Sequence, residues 1–216
     1  MKIANDVFGL AAERPEQEHL ILLSALSVLW LSPQNPEAQL ILERYRDRCY
    51  SFESLREAAL QLFLIAGFQT SIEAAFQIRE VYGEGLPGLD KELEVMDAKQ
   101  WLERGFELQS QVYGESVVRL RSNLGELSPE LAVWPVLVGY GLVLSRPGLP
   151  PHWRELLEVA VLAVQNFPRQ LFSHLRGALN LGASPEEVET VLRVADIMAS
   201  PEASRSAWQL WRRINP

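Results

Sequence analysis

The feature that most constrains how this chain folds is a series of helix-forming segments with clear ends, at residues 154–192. Apolar residues recur there every three or four positions, which is the spacing of an amphipathic helix. Gly182 is placed to end one helix, because glycine readily adopts the left-handed conformation that closes helices. Ser184 and Glu187 then form a capping box, with Pro185 at the first position of the next helix. These residues predict consecutive helices joined by short turns.

An earlier turn in the same stretch also contains residues that end one helix and begin the next. Asn166 is expected to cap the helix that follows it, and Pro168 is tolerated in the first turn of that helix. The same helix places His174 on its apolar stripe, together with Leu171, Leu175 and Ala178. A histidine on such a stripe should lie at the edge of a buried pocket.

The first half of the chain is also helical in pattern, and no segment alternates with the strict two-residue period of a strand. The predicted fold class is therefore all-α. Residues 1–15 are interpreted as a loose lead-in. Ser51 should cap one helix that Gly67 ends, and Thr70 or Ser71 should cap the next. Helices are predicted in this half at residues 16–31, 36–48, 51–65 and 70–82.

The middle of the chain is expected to connect two helical halves. A Gly/Pro loop is predicted at residues 83–90. Asp97 should cap a long helix that is interrupted near Gly114. A further helix should run over residues 128–144, and Pro135 should kink it or shorten its first turn, because proline donates no backbone hydrogen bond.

The two halves resemble each other as an internal repeat. Ser51 aligns with Ser184, Ile41 aligns with His174, and the helix boundaries around them agree. We interpret this as a tandem duplication of a four-helix unit within one compact domain. The predicted organisation is a degenerate N-terminal repeat, connecting helices and a C-terminal repeat, at residues 1–90, 91–149 and 150–216.

Composition excludes several classes of function. The net charge of −8 argues against a nucleic-acid partner, which normally needs a basic face. The single Cys49 cannot form an internal disulfide. The apolar segments at residues 19–31 and 132–144 fall short of the ~20 residues of a membrane span, and the chain opens without a signal-peptide pattern. We expect a cytoplasmic protein that binds neither membrane nor nucleic acid.

His174 is the candidate for acid–base chemistry, because partial burial can bring an imidazole pKa near the working pH. A structural histidine bonded to a backbone carbonyl is the alternative. Glu155 and Glu158, one turn apart on the preceding helix, could face the same pocket, or else lie in solvent as ordinary first-turn acids.

The remaining histidines are weaker candidates. His19 aligns with Glu155 and is interpreted as a helix-start residue, and His152 should be exposed in a linker. Arg176 should point to another face, either in solvent or bound to an anionic group. With three histidines in the chain, we expect no histidine-based metal site and no bound cofactor.

Three segments carry a resemblance to the carboxymuconolactone decarboxylase family, whose members share the AhpD-like helical fold. They are R-E-L-L from Arg154, Y-G-L-V-L-S-R-P-G-L from Tyr140 and H-L-R-G-A-L-N-L-G-A-S-P-E-E-V from His174. The resemblance covers the C-terminal half well. It implies an AhpD-like fold with two tandem repeats of a four-helix unit, and a trimer that mimics the hexameric ring of single-repeat relatives.

The family's motifs also indicate which catalytic side chains this chain retains. Redox relatives carry cysteines seven and four residues before the histidine, where this chain has Phe167 and Gln170. Thiol peroxidase chemistry needs a thiolate, so we exclude it. Decarboxylase-like relatives place a glutamate at the position of Gln170, and Glu155 matches a glutamate that redox relatives use in proton relay. The resemblance thus implies a site of His174, Glu155 and Gln170.

Two functions stay open at this point. One is cofactor-free lyase or isomerase chemistry on a small anionic substrate, with His174 as the acid/base and Gln170 and Glu155 positioning it. The other is a non-catalytic ligand-binding or assembly protein on the same scaffold. In either case a homo-oligomer is expected, with Trp208 and Trp211 as packing or interface residues.

Overall fold

The computed structural model describes residues 1–83 and 97–215, and these residues form helices and no strands. The predicted all-α class is therefore confirmed for the described chain. The predicted loop at residues 83–90 lies outside it, apart from Gly83. Helices of the N-terminal half are α1 Lys2–Glu13, α2 Glu18–Leu29, α3 Glu37–Asp47 and α4 Phe52–Tyr82. The later helices are α5 Ala98–Tyr113, α6 Val117–Leu127, α7 Pro129–Trp134, α8 Pro151–Gln165, α9 Pro168–Asn180, α10 Pro185–Met198 and α11 Pro201–Ile214.

The N-terminal segment is a packed helix, so the prediction of a loose lead-in was wrong. Ala4, Val7 and Ala11 of α1 are buried at helical spacing. The Glu37 carboxylate also accepts a hydrogen bond from the Ala4 backbone N–H at 2.8 Å. Two of these three residues are alanines, whose small side chains make only a weak apolar stripe in the sequence.

Side-chain caps begin the helices where the sequence predicted them. The Ser51 hydroxyl accepts from the Ser54 backbone N–H, and Asp97 accepts from the first turn of α5. Ser184 and Glu187 form both hydrogen bonds of the capping box. These caps define where α4, α5 and α10 enter the fold.

Gly67 interrupts α4 as predicted, with φ 86° and ψ 169°. The residues after it do not cap a new helix. Thr70 donates to the Ala66 carbonyl at 3.0 Å, and Ser71 donates to the Ala59 carbonyl at 2.8 Å. These hydroxyls join the two halves of α4 across the break.

Asn166 ends α8 rather than capping α9, which corrects the sequence-based prediction. Its φ of 57° and ψ of 51° are left-handed, and asparagine tolerates this conformation better than most residues. Phe167 then donates its backbone N–H to the Leu162 carbonyl at 3.1 Å, which completes the turn. The α8–α9 turn is therefore closed by the end of α8.

Pro135 changes the type of helix instead of simply kinking it. Residues Pro135–Leu144 continue α7 as a π-helix. This π-helix crosses α5 very closely, because a Cβ on Gly141 would lie 2.0 Å from the Trp101 carbonyl oxygen and one on Gly105 would lie 2.1 Å from that of Val136. Both positions therefore require glycine.

The two halves share one apolar core, in which α2 packs against α8 and α10. Leu22 and Leu42 from the first half and Leu156 and Leu175 from the second belong to the same buried cluster. Trp211 is buried in this cluster, so it serves packing within the chain. Helix order in the two halves agrees with the proposed duplication, which itself stays a prediction.

By length and composition, α4 is the one helix in the described chain that could cross a membrane. The break at Gly67 divides it into two shorter helices. Less than a third of its most apolar stretch is buried in the fold.

A candidate acid–base site at His174

His174 of α9 lies between two carboxylates of α8. Its Nδ1 atom is 2.8 Å from Glu155 Oε2 and 3.1 Å from Glu158 Oε2. The two glutamates are three residues apart, so they project from one face of α8. Their side chains are 2% and 4% exposed, whereas the imidazole is 13% exposed. The histidine is thus the member of this cluster that solvent or a ligand reaches.

The carboxylates decide the protonation of the ring. Burial alone would lower the pKa of His174, but Glu158 and Glu155 outweigh it and raise that pKa to about 9. Burial raises the pKa of the Glu158 carboxyl, and Glu155 adds to this, while His174 opposes it. The two carboxylates therefore stabilise the protonated form of the His174 ring near neutral pH.

Gly177 makes room for this arrangement. A Cβ at this position would lie 2.6 Å from Glu155 Oε2 and 2.8 Å from Val112 Cγ1. The carboxylate of Glu155 thus occupies space that any larger residue at position 177 would fill. The glycine belongs to the L-R-G-A-L segment of α9 that follows His174.

Two tyrosines, the buried Tyr140 and the partly buried Tyr113, lie near enough to the carboxylates to feel their charge. The Tyr140 hydroxyl donates to the Tyr113 hydroxyl at 3.1 Å. Burial is the largest cause that raises the pKa of both phenols, to about 12 for Tyr113, and the charge of Glu155 raises both further. Tyr140 lies in the π-helix and Tyr113 ends α5. Sequence reasoning missed Tyr113, because its partners are distant along the chain.

A cavity of about 220 Å³ opens beside this cluster, between α5, α6 and α9. Tyr113 lines it, as do Ser173 and Arg176, which flank His174 on α9; the His174 ring itself does not. Arg119 adds a second guanidinium to the wall. The other lining residues are Val112, Ser116, Leu120, Asn123, Phe172 and Asn180. Two guanidinium groups and two side-chain amides suit a small anionic molecule.

Gln170 is not brought to the imidazole. It precedes His174 by one turn of α9 but is exposed, and no hydrogen bond joins the two side chains in the described chain. Glu158, and not Gln170, is the second side chain beside the His174 ring. Spacing along α9 had predicted Gln170 for that position. The reason is geometric, since α8 crosses α9 and presents both of its acids to Nδ1.

The other histidines lie away from this cluster. His152 is in the first turn of α8 rather than in a linker, with Nε2 3.9 Å from Glu187 Oε1. His19 bonds the Tyr45 hydroxyl at 2.7 Å and stacks on Tyr50. Ile41, aligned with His174, is fully buried. Within the described residues, no set of three or more acidic, His or Cys side chains is arranged to hold a metal.

One family model matches the half of the chain that contains His174. The model of the carboxymuconolactone decarboxylase family matches residues 129–213. The chain is 31% identical to the 4-carboxymuconolactone decarboxylase of Acinetobacter baylyi over 116 residues, which are 53% of this chain and 87% of that protein. The chain belongs to the carboxymuconolactone decarboxylase family. The matched range contains Glu155, Glu158 and His174.

A second relative is aligned with more residues of the chain. The chain is 29% identical to peroxisomal protein 2 of Schizosaccharomyces pombe over 146 residues, or 67% of this chain and 68% of that protein. Family membership confirms the resemblance first seen in the segments around His174, and the helical model agrees with an AhpD-like fold.

Proposed function

We propose that this family member catalyses cofactor-free lyase or isomerase chemistry on a small anionic substrate, with His174 as the acid/base. The observation that carries the proposal is the contact of Nδ1 with both Glu155 and Glu158. A ring held this way donates Nδ1–H to the carboxylates and keeps Nε2 for the substrate. No hydrogen bond occupies Nε2 among the described residues.

The proposed chemistry is a proton transfer that the buried carboxylates support. In a decarboxylation, the substrate carboxylate leaves as CO2 and its bonding electrons stay on carbon. The imidazolium then gives its Nε2 proton to that carbon and becomes neutral. The charges of Glu158 and Glu155 stabilise the protonated ring before transfer, and Nε2 regains its proton from water once the product has left.

Substrate class is inferred from the cavity beside the ring. Arg119 and Arg176 supply positive charge in a space of about 220 Å³, which fits a small acid or a carboxylated lactone. Such a molecule, with its carboxylate on the guanidinium groups, would lie against Tyr113. The proposal requires the substrate to reach the His174 ring, which does not itself line this cavity.

Turnover in D2O tests this proposal directly. Carboxylated lactones and 3-oxo acids would be incubated with the protein, and NMR would follow deuterium incorporation at carbon. We expect His174→Gln to abolish incorporation and Gln170→Ala to reduce it less than about threefold, because Gln170 does not touch the ring. Equal activity of His174→Gln and the parent protein would refute the role of His174.

Ligand binding without catalysis is the second candidate, and one observation favours it. The His174 ring does not line the cavity that its neighbours Ser173 and Arg176 line. A binding protein would hold small carboxylates with an affinity that Arg176→Ala weakens and His174→Gln leaves unchanged. Calorimetric titration of both variants separates this function from the enzymatic one.

A further inference from the structure

We propose that Gln61 is a positioning residue of the acid–base site, whose amide fixes the Glu158 carboxylate beside His174 from the N-terminal half of the chain. The inference rests on the proposed function and adds a residue outside the matched family range, which begins at residue 129. It also gives the N-terminal half, with Ile41 in place of the histidine, a role at the site.

The contact between α4 and α8 is a polar ladder of two rungs. Glu57 and Gln61 lie one turn apart on α4, and Arg154 and Glu158 lie one turn apart on the facing side of α8. Both rungs are buried: Gln61 is 2% exposed and Glu57 and Arg154 are each 1% exposed. Polar groups so deep in a core need fixed partners.

The first rung holds the backbone of α8 in place. Glu57 Oε2 accepts from Arg154 Nη2 at 2.9 Å and from Arg146 Nε at 2.9 Å. Arg154 Nη2 also donates to the carbonyls of Arg146 and Pro147, each at 2.9 Å. A guanidinium with this many partners leaves the start of α8 little freedom to shift against α4.

The second rung reaches the site itself. Gln61 Nε2 donates to the Arg154 carbonyl at 2.7 Å and lies 3.4 Å from Glu158 Oε1. The other oxygen of Glu158, Oε2, faces His174. The carboxylate is thus held between an amide donor and an imidazole, with one oxygen assigned to each.

The amide also favours the ionised form of Glu158, because a donor stabilises a carboxylate and not the neutral acid. Other charged and titratable groups around Glu158 are His174 of α9, Glu155 and Arg154 of α8, and Tyr113 and Tyr140. Those groups remain when Gln61 is changed. Loss of the amide should therefore raise the pKa of Glu158 further.

The test uses two variants, one that removes the amide at nearly constant side-chain size and one that keeps the amide on a shorter side chain. In Gln61→Met the thioether fills the same space but donates no hydrogen bond, and in Gln61→Asn the amide is one methylene short of Glu158. Carboxyl ¹³C NMR of glutamate-labelled protein would follow the titration of Glu158, identified by its loss in Glu158→Gln. We expect both variants to move its midpoint up by about half a pH unit or more.

Gln77→Met is the matched control. Gln77 is also on α4, and its Nε2 donates a hydrogen bond to the Pro33 backbone carbonyl at 2.8 Å, away from the site. It should leave the Glu158 midpoint unchanged. An unchanged midpoint in folded Gln61→Met, or an equal shift in Gln77→Met, would overturn the role of Gln61. A parent protein in which Glu158 titrates near its ordinary value of 4.5 would instead contradict the acid–base cluster itself.

Discussion

The Glu155 carboxylate lies where a side chain at Gly177 would otherwise stand. A Cβ on Gly177 would be 2.6 Å from Glu155 Oε2, the same oxygen that contacts His174 Nδ1 at 2.8 Å. The close approach of α8 and α9 is therefore coupled to the geometry of the acid–base cluster. A change at position 177 tests packing and site together.

Gly177→Ala should destabilise the fold by about 1–3 kcal/mol, because the methyl group would overlap Glu155 and Val112. Urea unfolding would measure the loss. The matched control is Gly9→Ala in α1, where a Cβ meets nothing within 4 Å. There alanine should stabilise the helix by about 0.5–1 kcal/mol. Equal stability of Gly177→Ala and the parent would show that α8 and α9 separate without cost.

Helix ends were the part of the fold that the sequence predicted best. Ser51, Asp97 and Ser184 act through residues two or three positions away, so their caps are readable from local spacing. Asn166 was misassigned because the same residue type suits both a helix start and a left-handed helix end. Only the path of the chain after α8 decides between them.

The residues of the candidate site were predictable from the sequence only in part. His174 and Glu155 were found from the stripe and the family resemblance, and they do meet. Glu158 was a candidate for the same pocket from its spacing to Glu155, whereas Gln61 contacts Glu158 through the crossing of α4 with α8, which no spacing along one helix encodes. Gln170 was favoured by helical spacing, yet its own side chain is exposed to solvent.

Stability should fall as the pH rises through the window set by His174. Its pKa is raised from 6.5 to about 9, so the native state binds its proton more tightly than the unfolded state. The stabilisation is complete below pH 6.5 and is lost as the pH approaches 9. The slope should reach up to about 1.4 kcal/mol per pH unit for one proton.

Chemical denaturation at several pH values would measure this slope, and His174→Gln should flatten it. Glu158 acts in the same direction at lower pH, because its pKa is also raised. Burial lowers the pKa of His19, so that residue titrates below the window and serves as an internal contrast. A His174→Gln variant with the parent's slope would contradict the ion pair.

Glu57→Gln should destabilise the chain by about 3–5 kcal/mol, since it leaves the buried guanidinium of Arg154 without its counter-charge. Thermal unfolding would report the loss. The control is Asp47→Asn, which removes the exposed partner of Arg46 and should cost less than about 1 kcal/mol. A loss of similar size in both variants would argue that the two-rung ladder between α4 and α8 contributes no more than a surface ion pair.

Association of several copies is expected to involve the outer face of α4. Leu60, Phe68, Ile72 and Phe76 follow one another at intervals of four or eight residues, and each is at least 41% exposed. These exposed apolar side chains, which we call the α4 stripe, lie on both sides of the break at Gly67 and are typical of an interface. A second copy of the chain is the occupant we expect, because a trimer of fused repeats would cover the same face three times.

Sedimentation velocity of Ile72→Glu tests this expectation. A charge in the centre of the stripe should weaken association by about 2 kcal/mol or more, which is roughly thirtyfold in the dissociation constant. Val118→Glu is the control, because Val118 is 73% exposed on α6 and outside the stripe. A monomeric parent would refute association, and dissociation by Val118→Glu alone would move the interface from α4 to α6.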